Sequence, residues 1–128
     1  MLEAVAAEGV KAGIRPKVLL QINASREEQK HGFTFEEFAG LKDAIVRLPV
    51  EVCGVMGMAA YADDPELARQ AFRELRALRD RLREEWDGLG QSLNQLSMGM
   101  SGDFEVAIEE GATYIRIGST LFEGLENE

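Results

Sequence analysis

The chain has 128 residues, 45% of them hydrophobic and 29% charged, proportions that suit one globular domain with a real core. Its formal net charge of −9 argues against nucleic acid or an anionic membrane surface as a partner, and leaves room for a small phosphate ligand at a locally positive site. The lone Cys53 excludes an internal disulfide and reads as a buried free thiol suited to a reducing cytoplasm, while Glu3 breaks any apolar leader or spanning segment.

In chain order, Met1–Lys11 reads as a helix, with Leu2, Val5, Ala6 and Val10 at helical spacing and Gly13 as its stop. A chain that opens on a helix looks like one begun part-way through a βα repeat. Lys17–Asn23 is the first predicted strand, apolar at its centre as a parallel strand buried on both faces would be. A polar loop, Ala24–Gly32, leads to a helix opened by a capping box of Thr34 and Glu37, with Phe38, Leu41, Ile45 and Leu48 as its buried stripe. Pro49 closes that helix, and Val50–Met58 is the second strand, whose Gly54 and Gly57 permit close approach by a ligand or a neighbouring backbone. The longest helix follows, capped by Asp63 or Asp64, with Pro65 at its first position and Leu67, Ala71, Leu75, Leu78 and Leu82 along one face. The mixed Arg and Glu residues of Arg69–Glu85 read as its solvated side.

Trp86–Gln91 is a linker to the third strand, about Leu93–Met98. The helix Gly102–Glu110 comes next, with Phe104, Ala107 and Ile108 facing inward and Gly111 at its end. Thr113–Ile117 is the fourth predicted strand. Alternation of this kind implies a parallel sheet with right-handed crossovers in a single domain over residues 1–128. Two open edges would make that sheet physically incomplete, so a homodimer or another chain is expected to supply the missing strands.

The third and fourth strands both end in small and hydroxyl residues: Gly99-Met100-Ser101 in one case, Gly118-Ser119-Thr120 in the other. Gly lets a backbone approach a ligand closely, N–H groups at such turns favour an anion, and barrels commonly hold phosphate after their last two strands. The stretch therefore reads as a phosphate cradle. The same residues also suit plain tight turns, with Ser101 as a helix cap.

The run LSMGMSGDFEVAIEEGATYIRIGSTLF resembles the signature of the pyridoxal-phosphate homeostasis proteins, the YggS/PROSC family, which are similar to the N-terminal barrel domain of alanine racemase. VLLQINASREEQKHGF resembles the family's fifth strand and its loop, and GVMGMAAYADDPELARQAF its sixth strand and helix; the likeness covers about residues 1–124. It implies an α/β fold: the C-terminal half of a (β/α)8 TIM barrel, about four parallel strands alternating with helices. It makes Ser101, Gly118 and Ser119 phosphate ligands of pyridoxal 5'-phosphate, with Ser119 where the family usually has Thr. Arg116 would lie near the pyridine nitrogen and disfavour its protonation, weakening the ring as an electron sink. An ion pair with Glu51 or Asp103 is the other reading of Arg116. Asn23 and Met56 would line the pocket floor, although plain core packing also explains Met56.

Several residues depart from the family pattern. The family holds its cofactor as a Schiff base on a lysine of the first barrel strand. The lysines here, Lys11, Lys17, Lys30 and Lys42, lie on helices, at a strand's beginning or in a polar loop. The GLMT-like stretch reads Gly54-Val55-Met56-Gly57, and Glu123 precedes Gly124 in the final turn. His31 lacks partners at metal-ligand spacing, Asp63 and Asp64 are better explained as caps, and no Ser/His/Asp arrangement or P-loop appears, so neither a catalytic residue nor a metal ligand is assigned. The reading that results is a non-catalytic, non-covalent pyridoxal-phosphate binder. Its alternative is a structural or self-associating half-barrel without ligand.

Overall fold

A computed structural model of the chain describes residues 1–24, 37, 40–89 and 91–125. The expected loop after residue 24, the Thr34 cap, Phe38, His31 and Lys30 lie outside the described residues. The described elements are α1 (Leu2–Ala12), β1 (Lys17–Ile22), α2 (Lys42–Val46), β2 (Glu51–Gly57), α3 (Arg69–Glu85), β3 (Gln95–Ser97) and α4 (Phe104–Glu109). Single 3-10 turns occupy Pro65–Ala68, just before α3, and Ser119–Phe122.

The strands form one parallel sheet in the order β1-β2-β3. Gly13, in left-handed conformation at φ 70°, ends α1 as its sequence position suggests. The β1–β2 register shifts between Val18 and Leu19, so that Val18 faces Val52 and Leu19 faces Gly54. This bulge brings Val52 and Val55, three residues apart, onto the same side as Leu20, Ile22, Leu96 and Met98. Phe72, Leu75, Leu78 and Leu82 of α3 cover that side, joined by Trp86 and Val106. Each such large buried side chain contributes about 1.5–3 kcal/mol relative to its exposed state.

The two strand glycines serve this packing. A Cβ at Gly54 would run into the backbone of Gln95 on β3, and one at Gly57 would lie 2.5 Å from the Leu75 side chain. Both therefore admit neighbouring protein atoms; neither opens onto a ligand.

Several expectations are corrected. Leu67 is 70% exposed, because residues 65–68 form a 3-10 turn whose spacing turns it away from the stripe, and Phe72 takes the buried place. Ile108 is 52% exposed, and Val106 faces inward with Ala107, so the buried side of α4 is turned from the one its helical spacing suggests. Trp86 is 1% exposed and belongs to the core despite its place in a connection. Cys53 is free and only half-buried, its Sγ 3.5 Å from Glu51 Oε2, because the bulge takes it off the core face.

The fourth predicted strand is also absent as a strand. Residues 113–117 run beside β3 with a single parallel bridge, Ser97 to Tyr114. The Leu96 amide donates to Thr113 Oγ1 at 2.8 Å, so a side chain takes the place of a ladder carbonyl. The contact resumes where Met98 N donates to Tyr114 O at 3.1 Å and Arg116 N to Gly99 O at 2.9 Å.

The arginine face of α3 is not wholly solvated. Arg69 donates to Glu110 Oε1 at 2.8 Å, Glu109 Oε2 at 2.6 Å and both carboxylate oxygens of Glu66, and Arg73 reaches Glu110 at 3.1 Å. Arg69 holds the buried Glu110 carboxyl below its ordinary 4.5; burial opposes that shift and Arg73 adds to it.

Three predictions follow from these contacts. Gly54→Ala should destabilise by about 3 kcal/mol or more in urea denaturation, at or beyond the usual overpacking cost. Gly118→Ala, where a Cβ meets nothing within 4 Å, should stay within about 0.5 kcal/mol. Glu110 has its folded pKa below its unfolded one, so its contribution is present above 4.5 and lost as pH falls through the folded value. The melting-temperature gap between wild type and Glu110→Gln should be widest at neutral pH and narrow in acid; a gap independent of pH would contradict the ion-pair account.

Candidate functional site

In a parallel α/β sheet, ligands gather at the carboxyl ends of the strands, where the loops converge. Here three segments meet at that end: the loop after β2, the turn after β3, and the Gly118–Thr120 turn that follows the bridged segment. They enclose a cleft of about 420 Å³. One wall is Met58, Ala59, Ala60, Tyr61 and Ala62. The other brings together Met100, Ser101, Gly102 and Asp103 with Gly118 and Ser119, and Arg116 also lines the cleft.

Ser101 is the meeting point of the second wall. The amides of Gly118 and Thr120 both donate to its Oγ, at 3.3 and 3.4 Å. It does not cap α4, whose N-cap residue is Asp103; Asp103 Oδ1 instead accepts from the Met100 amide at 2.8 Å and fixes the turn. A left-handed Gly99 at φ 101° starts this turn, and a Cβ there would lie 2.6 Å from that of Ala107. Two amides and a serine hydroxyl thus converge from turns 17 and 19 residues apart.

Arg116 crosses the end of β3 and donates from Nη2 to Gly57 O, the terminal carbonyl of β2, at 2.9 Å. Burial draws its pKa down, and the Asp103 carboxylate partly offsets this. Neither expected ion pair forms: Glu51 pairs with Lys17 at the opposite end of the strands, 3.8 Å apart. Arg116 Nε is buried with no hydrogen-bond partner among the described residues. An orphaned donor of this kind is costly unless a ligand acceptor satisfies it.

The arrangement therefore holds a hydroxyl donor, oriented by two amides, at one end and an unsatisfied guanidinium N–H beside it. Such a set suits an oxyanion joined to a group with an acceptor of its own. The residues present fit pyridoxal phosphate in these two respects.

Of the residues expected from sequence, Ser101, Arg116, Gly118 and Ser119 share this cleft. Asn23 follows the end of β1, and Met56, half-buried, pairs across to Gln21 and Ser97; neither lines it. Thr120 belongs to the expected Gly118-Ser119-Thr120 turn; the Met58–Ala62 wall is the part of the site that sequence reasoning missed. An alanine-rich loop with one tyrosine directly after a strand was the available signal for that wall. Lys11 pairs with Glu8 on α1, Lys17 lies at the start of β1, and Lys42 donates to Glu85 O; none lines the cleft. Among the described residues no group of His, Cys, Asp and Glu could hold a metal, and no helix is long and apolar enough to cross a membrane.

Residues 1–126 match the family model of the alanine racemase N-terminal domain. The pyridoxal phosphate homeostasis protein of Aquifex aeolicus is 47% identical over 113 residues, covering 88% of this chain and 48% of that protein. The human protein of the same name is 38% identical over 111 residues, covering 84% of this chain and 40% of its own length. Among solved structures, PipY of Synechococcus elongatus without PLP has a TM-score of 0.83 at 28% identity, covering 94% of this chain and 56% of that one. The same protein with PLP bound has a TM-score of 0.75 and covers 94% and 53%. The chain spans about half the length of the curated relatives it matches. Its α/β architecture is a fragment of the barrel that these structures share.

Proposed function

We propose that this chain, which belongs to the alanine racemase N-terminal domain family, binds pyridoxal 5'-phosphate non-covalently and without catalysing a reaction. The observation that carries this reading is the convergence of the Gly118 and Thr120 amides on Ser101 Oγ, beside the orphaned Arg116 Nε. The name shared by relatives from Aquifex aeolicus and Homo sapiens, and the PLP bound to PipY, support the choice of ligand.

In this reading the Ser101 hydroxyl donates to the phosphate, Gly118, Ser119 and Thr120 form the turn that surrounds it, and Arg116 donates to the ring nitrogen. When bound, pyridoxal phosphate supplies an electrophilic aldehyde and an electron-accepting ring. Arg116 works against the second property: a permanent cation at the ring nitrogen keeps that atom unprotonated. Asn23 and Met56 border the site from the neighbouring strand ends rather than touching the phosphate. No lysine of α1, β1 or α2 serves as a Schiff-base amine. The cytoplasm is the compartment that a free Cys53 thiol suits.

A second reading concerns assembly. Tyr114, Ile115, Leu121, Phe122 and Leu125 are exposed beside the bridged segment, and β1 has no strand on its outer edge among the described residues. Completion of the barrel by a second copy, or by a chain carrying the N-terminal half, would cover both edges, and in its extreme form the chain is a structural module without ligand. A monomer with a cooperative melt at micromolar concentration in sedimentation and calorimetry would rule the homodimer out.

The ligand reading is tested by absorbance titration with pyridoxal phosphate, then borohydride reduction and intact mass. Saturable binding competed by inorganic phosphate, with no covalent adduct, is the expected result. Ser101→Ala should weaken it by about tenfold or more, as expected for one hydrogen bond to a charged group. An adduct would overturn the non-covalent assignment, and absence of binding would overturn the ligand.

A further inference from the structure

We infer that Tyr61 determines the specificity of the cleft, stacking on the ring of a phosphorylated aromatic ligand whether or not that ring carries an aldehyde. This rests on the phosphate reading above and extends it from one cofactor to a ligand class.

The cleft is chemically two-sided. Its donors lie on Ser101 and Arg116, and its Asp64 and Asp103 carboxylates each accept a backbone amide, whereas the wall of Met58, Ala59, Ala60, Tyr61 and Ala62 offers apolar surface and a single phenol. A phosphate ion by itself has no use for such a wall. A planar ring attached to the phosphate does, because an aromatic face and a thioether bind a ring by stacking and dispersion.

Tyr61 is 92% exposed, and no hydrogen bond among the described residues fixes it. A large aromatic on the rim of a cleft, with both ring faces uncovered, is free to lie on a ligand without first leaving another contact. Neighbouring alanines at 59, 60 and 62 leave room for that movement. Arg116 Nε, the orphaned donor, then addresses an acceptor in the ring's edge while Tyr61 addresses its face. Neither contact involves an aldehyde, and the described lysines are away from the cleft lining. An alcohol-bearing ring such as pyridoxine 5'-phosphate meets the same requirements as pyridoxal phosphate.

The test is calorimetric titration of the wild-type chain, Tyr61→Phe and Tyr61→Ala with pyridoxine 5'-phosphate, pyridoxal phosphate and inorganic phosphate. Tyr61 is exposed, so both variants should keep the wild-type melting curve. The wild type should bind both ring esters with similar affinity and more tightly than inorganic phosphate. Tyr61→Ala should weaken both esters by about three- to tenfold, the range for an aromatic pair, and leave inorganic phosphate unchanged. Tyr61→Phe should restore ester binding. Equal affinity for ester and inorganic phosphate, or an alanine variant that loses neither ester, would overturn the inference and leave the phosphate cradle standing. Binding of pyridoxal phosphate alone would overturn its independence of the aldehyde. If no phosphate compound bound at all, the cradle and this inference would fall together.

Discussion

The structure depends on the seating of α3 against β2 and β3. Leu75 lies against Gly57, where a methyl group would collide with it, and Gln95 presses its backbone onto Gly54. These two close approaches, with the bulge just before Gly54, draw three strands and one long helix into a single apolar layer. Because Gly57 ends β2 and Ser97 ends β3 side by side, the loops that follow must emerge on the same rim.

That rim gathers what the sequence scatters. Ser101, Gly118 and Thr120 are separated by most of a βα unit, yet their polar atoms meet within hydrogen-bonding distance. Arg116 ties the rim together by reaching past β3 to the last carbonyl of β2. The site is therefore a property of adjacent strand ends more than of any one motif, as in other α/β proteins. The ion pairs of Arg69 and Arg73 with Glu109 and Glu110 hold α4 against α3 from behind, so that the turn containing Ser101 starts from a fixed base.

Much of this was legible in the residues, for identifiable reasons. The apolar runs Val18–Leu20 and Val52–Met58 and a helical stripe through Leu75, Leu78 and Leu82 locate β1, β2 and α3. Repeated small and hydroxyl residues after successive strands mark the second wall of the cleft. Local spacing does not reveal where a turn offsets the phase or which side of a short helix meets the core. Leu67 fits the helical period but lies in a 3-10 turn; Ile108 fits the same period, yet α4 buries Val106 and Ala107. Thr113–Ile117 has the composition of a strand, but Thr113 takes the Leu96 amide with its side chain, so only Tyr114 forms a bridge. Trp86 looked like a connector because its neighbours are polar, and only the end of α3 reveals it as core.

The hydroxyl of Ser101 has a directional consequence. An alcohol oxygen has two lone pairs and one proton, and both lone pairs here are engaged by amides. What remains is a pure donor with its polarity fixed by the backbone. A serine so arranged cannot rotate to serve a ligand that offers a proton, and its interaction is strongest with an oxygen that carries none.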